Sequence, residues 1–508
     1  MLKVVPICKS CALNRISENR MFQPATKFRT FVRALGRKNI LLEQLPAFFC
    51  INKNTEERRL HTSTLSILRQ EPKKAFEIDL PQLKVPEIKR DELLTFRGLE
   101  TDFPCLTRNK NTGPEPQYDK IMSGYKTYTT DEPFKLTYNN AVLPELTVAY
   151  ETWGELNEDK SNAVIVHAGL SASSHAKSHK DNPNPGWWEK FVGPGRAVDT
   201  DDFFVICTNT LGGCYGSSGP TAINPVTDKK YATTFPVISV QDMVNAQFKL
   251  LDHLGIDKLH ASVGSSLGGM CSLMAAAMYP DRVGRMVSIS SCARSHPSSI
   301  AMRYLQRKCI MSDPNWNKGH YYDKKYPKMG MKLARELATM TYRSGPEWDS
   351  RFARNRIDEE APVTLCPTFV IESYIEYQGE TFSTKFDPNS LLYISKAMDI
   401  FDVSEGFNSL EEGLSRVTCP VMVIGVQTDI LFPISQQREL ASALQTAGNK
   451  AVTYYELNSV YGHDTFLLDL NGVGAGVKGF IETRTSKNGL ASIPGSEASI
   501  PGSERKCY

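Results

Sequence analysis

The run ASVGSSLGGM, residues 261–270, changes character twice within a few positions. It begins as a short apolar stretch, passes through Gly264-Ser265-Ser266-Leu267-Gly268, and enters GMCSLMAAAMYP, which has the composition of a helix. A G-x-S-x-G between a strand-like and a helix-like segment predicts a turn so sharp that bulkier flanking side chains would collide with neighbouring backbone. Such a turn presents the Ser266 hydroxyl at the start of a helix, near the positive end of its dipole. A pentapeptide of this form arises by chance in roughly one chain in six of this length, so its weight comes from the strand-turn-helix setting.

Working outward from that turn, the chain alternates. Short apolar, often β-branched runs occur at LTVAYETW (146–153), AVIVHAGL (163–170), FFVICTNT (203–210), LHASVGSS (259–266), RMVSISSC (285–292), PVMVIGVQTD (420–429) and VTYYELNS (452–459). Several are almost wholly apolar, as strands covered on both faces are. VQDMVNAQFKLLDHLG (240–255) carries apolar residues at helical spacing and stops at Gly255. The order predicts a doubly wound, mostly parallel sheet of the α/β class, and with the serine turn an α/β-hydrolase fold. Residues from about 295 to 414 lack a comparable strand series and include helical patterns such as MKLARELATMTYR, so they read as a helical cap inserted before the last strands.

With 41% hydrophobic and 23% charged residues, the chain can bury a large core. A formal charge of +3 over 508 residues, concentrated near the N-terminus, argues against nucleic acid as a partner. No apolar run approaches the roughly 18 residues of a membrane span. The twelve cysteines lack the spacing of a secreted disulfide scaffold and read as reduced thiols of an intracellular protein. Cys8 and Cys11 form a C-x-x-C with no second pair or nearby histidine, so no metal is expected. Between Met1 and Leu42 there are nine Lys or Arg residues and one acidic residue, Glu18; Arg58 and Arg59 in ERRLHTST then resemble a matrix-protease cleavage site. Residues 1–60 therefore read as a transit peptide for the mitochondrial matrix. A linker (61–111, Pro- and charge-rich from Gln70), a catalytic domain (112–484) and a disordered tail (485–508) are expected to follow. In the tail ASIPGSE occurs twice, at 491–497 and 498–504.

A serine hydroxyl is a weak nucleophile at neutral pH, so it needs a base, and the base needs an orienting carboxylate. In this fold they follow in the order Ser, Asp, His. Of nine histidines only His463 lies beyond His320, in the Gly-containing VYGHDTF (460–466) after a strand-like run. Asp429 ends PVMVIGVQTD, where a strand would deliver it to the ligand-binding edge of the sheet. Taken singly, Asp429 reads equally well as a helix cap before ILFPISQQREL, and His463 as a core or surface histidine. Their order and setting behind the serine turn make Ser266, Asp429 and His463 the candidate triad. A tetrahedral intermediate also needs backbone donors: the N–H of Leu267 supplies one, and the loop after AVIVHAG, at Leu170, the other.

From about Asp131 to Thr483 the chain resembles the homoserine O-acetyltransferases of the MetX type and their serine O-acyltransferase relatives. The stretches that carry the resemblance are LTVAYETWGELN, SNAVIVHAGL, PGWWEKFVGPGRAVDTDDFFVICTNTLGGCYGSSGPTAINP, FPVISVQDMVNAQ, GSSLGGM and YGHDTFLLD. The resemblance implies the same triad and adds Arg335 and Asp464 as an amino-acid-binding pair, a guanidinium for the α-carboxylate and a carboxylate for the α-ammonium. By itself Arg335 reads as a solvated helix residue. Two departures fall where specificity would be set. Leu267 replaces the family's Met after the nucleophile, and HAGLSASSH has one extra residue and Ala172 in place of Gly. Leu170, Ser171, Ala172 and Ser173 therefore form a candidate specificity segment.

With the basic leader, these features are closest to the fungal serine O-succinyltransferases. The resemblance implies ping-pong transfer from succinyl-CoA to L-serine in cysteine biosynthesis. Its alternative is acetyl-CoA with L-homoserine in methionine biosynthesis, and more distantly a serine esterase, which has no reason to carry the Arg335 and Asp464 pair. Acyl-CoA is then a co-substrate, no metal or bound cofactor is expected, and a homodimer is implied by the resemblance alone. The polar segment 170–175 is expected to offer hydroxyls and backbone donors to a succinyl carboxylate.

Overall fold

The computed structural model describes residues 115–130 and 132–483, together with Phe103. The expected leader, the C-x-x-C, the tail and all of the linker except Phe103 lie outside the described residues.

One sheet organises the described chain, built from β1 (Lys126–Thr130), β2 (Leu146–Trp153), β3 (Ala163–His167), β4 (Phe204–Thr208), β5 (Ala261–Ser265), β6 (Met286–Ile289), β7 (Val421–Val426) and β8 (Val452–Leu457). The spatial order is β1-β2-β4-β3-β5-β6-β7-β8. β2 runs antiparallel to both of its neighbours. From β4 to β8 every pairing is parallel. Parallel strands need crossovers, and helices supply them. α1 (Val240–His253) precedes β5, and α2 (Leu267–Met278) joins β5 to β6. α1 starts at a capping box in which the Asp242 amide donates to Ser239 Oγ and the Ser239 amide to Asp242 Oδ2.

Between β6 and β7 the main sheet is interrupted by α3 (Pro297–Ser312), α4 (Lys328–Tyr342), α5 (Gly345–Phe352), α6 (Val370–Ser383) and α7 (Pro388–Asp399). In this helical cap α4 packs against both α3 and α6, and α7 against α3. α8 (Ile434–Thr446) then connects β7 to β8, and α9 (Ala475–Glu482) closes the described chain.

The all-apolar strands are explained by their two faces. Alternate residues of one strand enter different cores: Ile165 and Val423 pack with residues of α1, α2 and α8, such as Val244, Leu273 and Leu444. Val164, Val166, Met422 and Ile424 pack on the opposite side with Trp188, Phe191, Val477 and Ile481. β3, β5, β6 and β7 are buried along their whole length. The parallel register brings His167 opposite Gly264, Ser265 opposite Ile289, and Val426 opposite Leu457. The segments that leave β3, β5, β7 and β8 therefore emerge on the same edge of the sheet, and the triad candidates lie on them.

Candidate active site

Ser266 joins β5 to α2 with φ 57° and ψ −123°, a conformation that costs an L-residue roughly 1–3 kcal/mol. The surroundings hold it there. Its amide donates to the Ile289 carbonyl at 3.0 Å and its own carbonyl accepts from Ser291 Oγ at 2.8 Å. The flanking glycines are required by contact: a Cβ on Gly264 would sit 1.9 Å from the Gly268 carbonyl oxygen, and one on Gly268 would sit 2.3 Å from that of His167. Leu267 is the first residue of α2, so its amide has no carbonyl in a preceding turn to bond and is available to an oxyanion.

Asp429, just beyond β7, is fixed by three bonds. Oδ1 accepts from the amides of Leu431 and Phe432, each at 2.9 Å, and Oδ2 lies 2.7 Å from Nδ1 of His463. Accepting a hydrogen bond from Nδ1–H leaves Nε2 as the lone-pair nitrogen of a neutral imidazole. Phe432 stacks on the His463 ring and Phe466 meets it edge-on. Burial disfavours the imidazolium, but the charge and hydrogen bond of Asp429, with the charge of Asp464, more than offset it, so His463 titrates above its ordinary value of 6.5. Ser266 Oγ and His463 form no hydrogen bond in this structure. Catalytic contacts of this kind commonly tighten only with substrate bound.

Ser266 and His463 line one cavity of about 370 Å³, whose walls include Leu170, Ser171, Ala172, Trp187, Arg335 and Asp464. A larger cavity of about 720 Å³, bordered by Glu115, Tyr118, Lys230 and Asp323, contains no triad residue. Chemistry, and not size, distinguishes the smaller one.

The guanidinium of Arg335 lies 4.9 Å from the centre of the Tyr342 ring and 4.5 Å from that of Phe382, and its Nε has no hydrogen-bond acceptor among the described residues. The two aromatic faces hold it by cation–π attraction, which leaves the Nε–H without an acceptor. Asp464 pairs with Arg343, whose Nη2 is 3.2 Å from Oδ2. Burial raises the Asp464 pKa above its ordinary value, against the opposing charges of Arg343, His463 and Arg335.

Arg343, Tyr342 and Phe382 belong to no motif that marks them in the sequence. For Tyr342 a signal existed, since it falls seven residues after Arg335 on one helical face. Arg303 and Gln306, on α3, also line the cavity, and nothing in their local sequence marked them.

The specificity segment needs one correction. Leu170, Ser171 and Ala172 border the cavity, but Ser173 does not. It is buried, its Oγ accepting from the His175 amide at 3.1 Å and its carbonyl from Trp187 Nε1 at 3.1 Å. Ser174 and His175 are likewise turned away, bonded to Glu151. Of the hydroxyls expected to face an acyl chain, only that of Ser171 borders the cavity.

Two groups among the described residues have metal-ligand composition, Glu151/His175/His179 and Asp199/Asp202/Glu482. In the first, Glu151 Oε2 already accepts from His175 Nδ1 at 2.7 Å and from His179 Nε2 at 2.6 Å, while His175 Nε2 donates to the Asn184 carbonyl at 2.7 Å. That closed network braces the loop carrying Leu170 and Trp187 against β2. The second group is mostly exposed, and Lys478 sits 3.0 Å from Asp199.

Comparison with known proteins shows the family of the chain. Residues 162–474 match the family described as alpha/beta hydrolase fold. The chain is 48% identical over 454 residues to a serine O-succinyltransferase of Emericella nidulans, covering 75% of this chain and 87% of that one. Among solved structures, a homoserine O-acetyltransferase from Bacillus anthracis superposes with a TM-score of 0.66 at 30% identity, covering 72% of this chain and all of that one. Esterase E22 superposes with a TM-score of 0.65 at 29% identity, covering 71% of this chain and 100% of that one.

Proposed function

This chain belongs to the alpha/beta hydrolase fold family, in the group that holds serine O-succinyltransferases and homoserine O-acetyltransferases, and from that membership we propose that it moves a succinyl group from succinyl-CoA to the hydroxyl of L-serine. The observation that carries the reading is the content of one cavity: its lining includes a serine and a histidine suited to acyl transfer, and a guanidinium and a carboxylate that complement the two charges of an amino acid. An enzyme that passes its acyl group only to water has no use for that second pair.

The chemistry runs in two halves. His463 Nε2 takes the proton of Ser266 as the hydroxyl oxygen attacks the thioester carbonyl, while the amides of Leu267 and Leu170 receive the developing oxyanion. Collapse of the tetrahedral intermediate breaks the carbon–sulfur bond. The thiol leaves with the proton from His463, and a succinyl ester remains on Ser266. L-serine then enters with its α-carboxylate on Arg335 and its α-ammonium on Asp464. His463 takes the proton of the serine hydroxyl, which attacks the ester, and returns it to Ser266 Oγ as the product leaves. Acyl-CoA is consumed as a co-substrate, and these steps draw on side chains and backbone amides of the chain itself.

Homoserine differs from serine by one methylene, worth only about 1–3 kcal/mol in a pocket. The deciding experiment is therefore a thiol-release assay pairing succinyl-CoA and acetyl-CoA with L-serine and L-homoserine. Succinyl-CoA with serine is expected to lead each alternative by at least about tenfold in specificity, or about 1.4 kcal/mol. Faster turnover of acetyl-CoA with homoserine would overturn the substrate assignment and leave the reaction class standing. Residues 1–60 are proposed to direct the chain to the mitochondrial matrix; a fluorescent reporter fused to residues 1–70 should then be mitochondrial, and a cytosolic signal would refute it.

A further inference from the structure

A buried ion pair stands behind one wall of the cavity. Glu151, on β2, and His175 are 3% and 2% exposed. Glu151 Oε1 accepts from Ser174 Oγ at 2.7 Å, and Oε2 accepts from His175 Nδ1 at 2.7 Å and from His179 Nε2 at 2.6 Å. The other ring nitrogen of His175, Nε2, lies 2.7 Å from the Asn184 carbonyl. Ionised carboxylate and carbonyl oxygens only accept, so both nitrogens of His175 carry hydrogens and the ring is an imidazolium. His179 differs: its Nδ1 accepts from the Asp181 amide at 3.2 Å, which leaves its one hydrogen on Nε2. No imidazole lone pair therefore faces Glu151, and the cluster is an ion pair with two further donors. Burial disfavours the imidazolium, but the hydrogen bonds to Glu151 and Asn184 and the charges of Glu151 and Glu189 outweigh it, so His175 titrates above its ordinary value of 6.5.

The pair is tied to the active site through the backbone around it. The His175 carbonyl accepts from the Trp187 amide at 3.1 Å, the Ala176 carbonyl from the Trp188 amide at 3.0 Å, and the Ser173 carbonyl from Trp187 Nε1 at 3.1 Å. Leu170, Ala172 and Trp187 line the cavity beside Ser266, and the Leu170 amide donates to no group among the described residues. Apolar residues of similar volume commonly replace a buried ion pair at no loss of stability, so what this pair supplies is a fixed geometry.

We propose that His175 is a positioning residue: paired with Glu151, it holds the Leu170 amide at the point where the oxyanion forms. This rests on the acyl transfer proposed above and is indifferent to which acyl group is carried. An oxyanion develops in both halves of the reaction, first when Ser266 attacks the thioester and again when the acceptor attacks the ester. A displaced Leu170 amide therefore slows both. Arg335 and Asp464, which hold the acceptor, serve only the second.

The test uses the full-length enzyme. Acylation is read from the burst of coenzyme A release with succinyl-CoA alone, and deacylation from single turnover of the preformed acyl-enzyme with L-serine. Ground-state binding is read from the affinity for a coenzyme A thioether that carries a methylene in place of the thioester carbonyl and so can form no oxyanion. In His175→Gln both rates should fall at least about 30-fold, toward the roughly 10²–10³-fold that loss of one oxyanion donor costs, with affinity for the thioether changed less than about threefold. Nitrogen NMR of wild type labelled with 15N-histidine should show, at pH 7, a ring with both nitrogens protonated that is missing from His175→Gln. Ser174→Ala, which deletes only the bond to Glu151 Oε1, is the milder variant, and both rates should fall about threefold with thioether affinity unchanged.

A wild type that forms no acyl-enzyme would overturn the proposed function itself. With acylation intact in wild type, the His175 assignment alone falls if the His175 ring is neutral at pH 7, if His175→Gln keeps both rates or slows only the step that needs L-serine, or if it weakens the thioether as much as it slows acylation. Should His175→Gln fail to fold, Ser174→Ala decides by the same comparison, and wild-type rates in that variant would refute the assignment.

Discussion

Replacing Arg335 by Met separates binding of the acceptor from the rest of the reaction, and the structure sets the size of the effect. Arg335 has no carboxylate within ion-pair distance among the described residues, and its Nε makes no hydrogen bond. What the fold loses is the guanidinium's contact with the Tyr342 and Phe382 rings, worth roughly 0.5–2 kcal/mol. A thioether in the same space recovers part of it through sulfur–aromatic contact. At about 1–2 °C per kcal/mol for a domain of this size, the melting temperature should move by no more than a few degrees. Activity is another matter. The α-carboxylate loses its charged hydrogen bonds, about 1.5–3 kcal/mol, so kcat/KM for L-serine should fall roughly 10–150-fold. Acyl-enzyme formation needs no acceptor, so the burst of coenzyme A release should remain within about twofold of wild type. Rapid-mixing measurement of that burst, set beside steady-state turnover over a range of serine concentrations, reads both quantities. A burst slowed as much as turnover would show that Arg335 serves the structure of the whole site, and the reasoning would fail.

Further outcomes concern the nucleophile and the base. Ser266→Ala should form no acyl-enzyme, and intact-protein mass spectrometry with peptide mapping should find the acyl group of wild type on Ser266; adduct on Ser265, which is 1% exposed at the end of β5, would refute the assignment. His463 must be neutral to act as base, and its pKa is raised, so acylation should decline as pH falls through a value above 6.5. Asp464 contributes to that rise, so Asp464→Asn should move the acidic limb of the burst rate to lower pH, and an unchanged or upward-moving limb would count against the coupling. The same raised pKa means that the stability His463 contributes is present at low pH and lost as pH rises through its folded value.

The alternation of apolar runs with one amphipathic helix, and the glycines around Ser266, were enough to specify the sheet and the nucleophile turn. Strand period, helix period and steric exclusion at a tight turn are local properties, written into consecutive residues. Asp429 and His463 were legible for a related reason: the ends of parallel strands converge on one edge, so order along the chain restricts which residues can meet. Arg335 and Asp464 were reached through family resemblance, since a lone arginine on an amphipathic helix looks solvated whatever it faces. What only the tertiary structure decided is how the charges of the cavity are shared. Arg343, eight residues after Arg335, pairs with Asp464, and Asp399, about a hundred residues after Arg303, has both oxygens taken by two arginines. Ser173, Ser174 and His175 look like an open polar loop in the sequence but are bound to Trp187 and Glu151. Sequence supplies the donors and acceptors, but which of them remain free for a substrate depends on partners far away in the chain, and folding alone brings those partners within a hydrogen bond's reach.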